Sequence, residues 1–214
     1  EHGDIEFRKT ISQMLNHQRG MNIDESELTI TRGSQMGMFL TAQTLLKGGD
    51  QIIVEYPGYQ PAWQAFEYAG ARLLPVSVDE EGIDIKAIEE LLIQHKNIKA
   101  IYITPHRQYP TTVTLSLARR LKLIELSNQH NITIIEDDYD NEFHFGYRPV
   151  LPVSSYEELN NYVYIGTLSK VVAPALRIGY LATKNEGLLQ KIGNLRTVSY
   201  THLTLPTKAS GLMW

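Results

Sequence analysis

Short runs of apolar and β-branched residues alternate along this chain with longer stretches whose apolar positions recur every three or four residues. The runs read as strands: 27–31 (ELTIT), 51–55 (QIIVE), 72–76 (RLLPV), 99–104 (KAIYIT), 132–136 (ITIIE), 162–166 (YVYIG) and 177–182 (RIGYLA). The amphipathic stretches 84–95 and 116–130 read as helices. At the start, Phe7, Ile11, Met14 and Leu15 fall at i, i+4, i+7 and i+8, one face of a helix that the chain enters directly, without an initial methionine. Strand–helix alternation predicts an α/β fold with a mostly parallel sheet. Several strands are almost continuously apolar, as expected where both faces are covered.

In open α/β sheets, ligands bind beyond the carboxyl ends of the strands. In this sequence those points read RGSQMG after 27–31, YPGY after 51–55, PHRQYPTT after 99–104, DDYD after 132–136 and TLSK after 162–166. Turn-forming, hydroxyl and titratable residues collect at all five.

Composition narrows the chemistry. The 214 residues are 43% hydrophobic and 21% charged, with net charge −4 and no dense basic run, so this segment is not built to grip nucleic acid. There is no cysteine, hence no disulfide or thiolate metal site, and the seven histidines show no metal-binding spacing. No apolar stretch is long enough to span a membrane, and no signal peptide is visible; a cytoplasmic protein is expected. The P-loop, dinucleotide and nucleophile-elbow motifs are missing.

What remains is a lysine, a run of acids and small hydroxyl residues near helix starts. A Schiff base between a lysine and pyridoxal phosphate uses that set. The amine must be neutral to attack an aldehyde, which burial and a nearby cation favour. Lys170 follows an apolar strand and Arg177 lies seven residues on, read as sitting on the neighbouring strand. The pyridine nitrogen needs a facing carboxylate. Asp137, read as lying just after a strand, supplies it, although an acidic run such as EDDYD also fits a solvated loop. A phosphate suits a helix start, hydroxyls and an arginine fork. Ser34 and Gln35 open a helix, with Thr167, Ser169 and Arg177 as further ligands; Ser34 equally fits a plain N-cap.

The segment GTLSKVVAPALRIGY (166–180) resembles the lysine segment of the fold-type-I pyridoxal-phosphate enzymes, the aminotransferase class I/II family. RGSQMG, YPGYQPA, YPTT and IIEDDYDNEF follow that family's order. IIEDDYDNEF and HRQYPTT look most like the branch in MocR/GabR-type regulators of the GntR family, where a winged-helix DNA-binding domain precedes an aminotransferase-like domain. The resemblance implies a three-layer α/β sandwich, the pyridoxal-phosphate-dependent transferase-like large domain. It implies that Lys170 is the Schiff-base lysine and proton carrier, and that Asp137 pairs with the pyridine nitrogen. Tyr139 would lie near the cofactor's phenolic oxygen and Tyr59 would stack on its ring. Ser34, Gln35, Thr167, Ser169 and Arg177 would form the phosphate cradle.

The departures are specific. Where aminotransferases read NPTG this chain reads YPTT, with Tyr109 in place of asparagine and Thr112 in place of glycine, and Met36 replaces a common glutamine. Residues 1–198 are read as the cofactor-binding large domain, incomplete at both ends, and 199–214 as an unassigned tail; Arg196 lies too early to be the family's substrate arginine. By resemblance the ligand is an amino acid or amine, and the full-length protein is a homodimer that meets DNA only through a preceding domain. Two functions share the same residues: the effector-sensing half of a GntR/MocR-type regulator, and a free-standing aminotransferase. A third reading is an α/β domain without cofactor. The chain as given, lacking the second domain, is expected to be inactive.

Overall fold

The computed structural model describes residues 1–140, 150–168 and 177–200. Among these residues eight strands form one sheet: β1 (Leu28–Thr31), β2 (Gln51–Tyr56), β3 (Arg72–Asp79), β4 (Gly82–Ile83), β5 (Ile98–Ile103), β6 (Thr133–Asp138), β7 (Tyr162–Thr167) and β8 (Gly179–Ala182). Six α-helices accompany them: α1 (Ile5–Arg19), α2 (Gly33–Leu45), α3 (Gln60–Tyr68), α4 (Ile85–Gln94), α5 (Leu117–His130) and α6 (Glu186–Tyr200). The sheet order is β1-β8-β7-β6-β5-β2-β3-β4. The five strands from β7 to β3 run parallel, while β8 is antiparallel to both β7 and β1, and β4 to β3.

The near-continuous apolar strands are explained by two separate cores. Ile53, Ile101, Ile134, Tyr162 and Tyr164 pack with Ile11, Leu15, Ile88 and Leu123 of α1, α4 and α5. Their strand neighbours Ile52, Ala100, Ile135, Val163 and Ile165 pack on the opposite face with Met38, Leu40, Phe66 and Ile192 of α2, α3 and α6. Successive strand residues point to opposite faces, so both parities must be apolar. The result is the expected three-layer sandwich. Strand β4 and helices α3 and α6 were not foreseen. β4 is two residues long. α3 is a nine-residue helix with no side-chain cap, and the proline in its first turn is the one local signal of its start.

Caps set the starts of α1, α4 and α5. Asp4 accepts a hydrogen bond from Phe7 N, Asp84 from Lys86 N and Ser116 from Arg119 N. α1 ends at Gly20, whose φ of 61° is the left-handed conformation of a helix stop.

The acidic run is buried rather than solvated. Glu136, Asp137 and Asp138 end β6, each at most 4% exposed. Glu136 accepts from Val153 N, Ser154 N and Ser154 Oγ. Asp138 accepts from the Tyr164 hydroxyl and lies 3.7 Å from the Arg19 guanidinium, a buried pair joining α1 to β6. Glu136 and Asp138 face the layer containing α1, and Asp137 faces the other, as strand alternation requires.

Candidate active site

The sheet reverses its winding between β2 and β5: β2 leads outward through α3 to β3, and β5 leads the other way through α5 to β6. Such a reversal opens a crevice at the strands' carboxyl ends. A cavity of about 470 Å³ lies at this edge, lined among the described residues by Arg32, Gly33, Ser34, Gln35, Tyr59, Thr104, Tyr109, Asp137, Tyr139, Thr167 and Arg177. Seven of the residues singled out from sequence therefore meet in one place: Ser34, Gln35, Tyr59, Asp137, Tyr139, Thr167 and Arg177. Ser169 and Lys170 lie outside the described residues.

Arg177 reaches this edge for a topological reason. β8 runs antiparallel, so its first residue, Gly179, pairs with the last residues of β1 and β7, Thr31 and Thr167. Residues just before β8 thus join those just after β1 and β7. The strand starts at Gly179, so Arg177 lies ahead of it rather than on it, with φ of 45°. A side chain at Gly179 is impossible without movement: its Cβ would stand 2.4 Å from Gly33 C and 2.7 Å from Ser34 N. Glycine there lets β8 lie directly against the first turn of α2.

That first turn is open. The N-cap position of α2 is Arg32, not Ser34, and no side chain caps the helix. Ser34 lies inside the helix, and the N–H groups of the first turn keep no intrahelical acceptor. Thr31 Oγ1 donates to Gly33 O at 2.9 Å and steadies the turn that leads into α2. Two guanidinium groups, Arg32 and Arg177, line the same cavity. A helix start with two arginines favours an anion.

Asp137 is 4% exposed, and its Oδ2 accepts from the Tyr102 hydroxyl at 3.0 Å. Burial, then the Asp137 charge, push the Tyr102 phenol far above its ordinary range, so it stays a proton donor. Three tyrosines form an aromatic wall. Tyr109 meets Tyr59 edge-on at 5.4 Å between ring centres and Tyr139 at 6.3 Å. The Tyr59 hydroxyl accepts from Gln35 Nε2 at 3.1 Å. Tyr139 donates to Arg107 O at 2.9 Å, and burial, then Asp140, push its phenol up to about 12.

The YPTT loop answers the question its threonine raised. Thr112 has φ of 65°, the conformation glycine would hold, with Thr112 N donating to Gln108 O at 2.7 Å. The threonine is strained in this conformation. Arg196 binds Ile30 O and Glu1 O, tying α6 to the N-terminal segment.

Sequence reasoning missed Arg32, Thr104 and Glu55. Arg32 stood at a helix start and Thr104 at a strand end, both legible as positions but not as cavity residues. Glu55, 2% exposed at the end of β2, holds its carboxyl among Thr104 N, Thr104 Oγ1 and Gln108 Nε2. Burial pushes it up to about 7.

A three-layer α/β sandwich with an anion-ready helix start and a buried carboxylate in one crevice has the architecture of the pyridoxal-phosphate-dependent transferases. The model of the family "Aminotransferase class I and II" matches residues 1–211. The chain belongs to that family, whose members depend on pyridoxal phosphate. It is 32% identical over 186 residues to aromatic-amino-acid aminotransferase 1 of Thermococcus litoralis, covering 85% of this chain and 45% of that protein. It is 33% identical over 199 residues to the HTH-type transcriptional regulator YdcR of Escherichia coli, covering 92% of this chain and 42% of that protein. Kynurenine aminotransferase of Pyrococcus horikoshii, solved with PMP, superposes with TM-score 0.85 at 28% identity, over 92% of this chain and 50% of that one. The chain spans less than half the length of these two curated relatives.

Proposed function

We propose that this chain is the cofactor-holding part of a pyridoxal-phosphate protein and that the crevice cavity is the cofactor site. The observation that carries the reading is the gathering of an open helix start, Arg32, Arg177, a buried Asp137 and tyrosine faces around one cavity. That donor set fits a phosphorylated pyridine ring. The α2 N–H groups, Ser34, Gln35, Thr167 and Arg177 would hold the phosphate. Asp137, fixed by Tyr102, would hold a proton on the ring nitrogen. Tyr59 offers a face for stacking, and Tyr139 would lie near the phenolic oxygen, its own proton held by Arg107 O. Ser169 joins the cradle, and Lys170 is the residue for covalent attachment and for moving a proton at the substrate's Cα. Pyridoxal phosphate, when bound, supplies the electron sink for that chemistry.

Within this reading, the domain is the effector-sensing half of a GntR/MocR-type transcriptional regulator, taking an amino acid or amine, homodimeric, and meeting DNA through a preceding domain. The similarity to YdcR over 92% of this chain supports it. Similarity to an aromatic-amino-acid aminotransferase favours the second reading, a free-standing transaminase passing an amino group to a 2-oxo acid. Ligand-dependent DNA binding by the full-length protein separates the two. The cavity itself is tested by comparing pyridoxal phosphate with pyridoxal. Arg177→Gln should weaken the phosphorylated form about tenfold or more and leave pyridoxal unchanged. Equal effects on both ligands would remove Arg177 from the phosphate site.

A further inference from the structure

Two loops carry two of the three tyrosines of the cavity wall, Tyr59 and Tyr109, and one buried carboxyl touches the supports of both. Residues 57–59 follow β2 and carry Tyr59; residues 104–113 follow β5 and carry Tyr109. β2 and β5 are the neighbours at which the sheet reverses its winding, so these loops border the crevice from its two sides. Glu55, at the end of β2, accepts from Thr104 N at 3.0 Å, from Thr104 Oγ1 at 2.7 Å and from Gln108 Nε2 at 3.4 Å.

Both of those partners then hold the Tyr109 peptide groups. Thr104 Oγ1 accepts from Tyr109 N at 3.0 Å, and Gln108 Nε2 donates to Tyr109 O at 2.6 Å. The same amide donates to Pro57 O at 2.8 Å, which reaches the other loop. Gln108 Oε1 accepts from Thr111 N and Thr111 Oγ1, closing the turn beyond Tyr109. The carboxyl therefore orients the Thr104 hydroxyl that in turn orients Tyr109; the two amide protons of Gln108 go to the nearer Tyr109 O and Pro57 O and tie Tyr109 to the Tyr59 loop. A hydroxyl must point its single proton one way; giving it to Glu55 leaves the Thr104 oxygen as the acceptor Tyr109 N requires.

We propose that Glu55 is a positioning residue for ligand binding, setting through Thr104 the placement of Tyr109 beside Tyr59 across the cavity mouth. It acts through this neighbour and meets the ligand nowhere itself. The proposal rests on the cavity being the pyridoxal-phosphate site. A shift of the tyrosine wall is expected to cost affinity without removing any ligand contact.

The test uses the full-length protein, with pyridoxal phosphate as probe and two readouts: its dissociation constant, and the near-ultraviolet circular dichroism of the tyrosines without ligand. Glu55→Ala should weaken pyridoxal phosphate about tenfold and change the tyrosine signal. Glu55→Gln keeps an acceptor for Thr104 and should bind within about twofold of the parent. On a Tyr109→Ala background, Glu55→Ala should add nothing. If Glu55→Ala fails to fold, Thr104→Val takes its place, since it cuts the link to Tyr109 N; it should weaken binding severalfold. Unchanged binding in these variants, or an equal loss with and without Tyr109, would overturn the proposal. A parent protein that does not bind pyridoxal phosphate would overturn the reading beneath it. The ligand-free tyrosine signal still reports the positioning by Glu55 in that case, so the two failures are distinguishable.

Discussion

Replacing Glu55 by glutamine should change how stability depends on pH. Glu55 is fully enclosed, faces the Asp137 carboxylate and the Tyr102 phenol, and is raised from an ordinary value near 4.5 to about 7. Burial is the larger cause; the hydrogen bonds from Thr104 and Gln108 oppose it, and the Asp137 charge adds to it. The folded protein thus keeps a proton here that the unfolded chain releases above about pH 4.5. The stability this contributes is complete below that pH and is lost as pH rises through about 7. Each tenfold in proton affinity is about 1.4 kcal/mol, so the difference amounts to about 3 kcal/mol. Glutamine cannot ionise and carries no such dependence. Glu136 is also raised by burial and titrates in both proteins, so it cancels in the comparison. Urea unfolding followed by circular dichroism at pH 5 and pH 8 reads the effect. Glu55→Gln should gain up to about 3 kcal/mol on the parent between these two conditions. Parallel pH profiles would show that Glu55 ionises in the fold as it does in water, and the enclosure argument would fail.

Thr112→Gly should stabilise the protein by about 1 kcal/mol, because the strain of a β-branched residue at φ of 65° exceeds the entropic cost of glycine; a lower melting temperature would contradict it. Gly179→Ala should cost about 1–3 kcal/mol, since its Cβ would overlap the Gly33–Ser34 backbone. The same change should weaken pyridoxal phosphate more than pyridoxal, as the open turn of α2 is displaced; equal losses would mean that the turn is no phosphate site. Asp137→Ala in the full-length protein should leave the cofactor bound and, on the transaminase reading, lower turnover roughly ten- to a thousandfold. Near-parental turnover would remove Asp137 from the ring nitrogen. A measurable transaminase rate from residues 1–214 alone would refute the expectation that this chain is inactive by itself.

Much of this was legible because parallel α/β sheets put their chemistry at predictable points. Seven strands follow from apolar runs, and the residues after them collect at one edge, as Ser34, Tyr59 and Thr167 do. Asp137 was expected just beyond β6 and is its second-last residue, a one- or two-residue matter of where pairing with β7 stops. Arg177 is harder to place: strand direction is not written in local sequence, and only the antiparallel run of β8 brings a residue before a strand to the edge where others follow theirs. The burial of Glu136 and Asp138 was hidden because their partners, Ser154, Tyr164 and Arg19, are distant in sequence. Glu55 was hidden for the same reason. In QIIVE it reads as the polar end of a strand, and its partners lie 49 and 53 residues away. Helix α3 escaped because it is short and its N-cap position holds Tyr59, a residue type that does not cap, leaving only Pro61 to mark the start.

The central claim is that this crevice binds pyridoxal phosphate and that Lys170 is its anchor. The most direct test is a visible absorption spectrum of the protein with pyridoxal phosphate, followed by borohydride reduction and peptide mass mapping. The account predicts a distinct visible band and the cofactor's mass on the Lys170 peptide alone. No band, or label spread over several lysines, would contradict it.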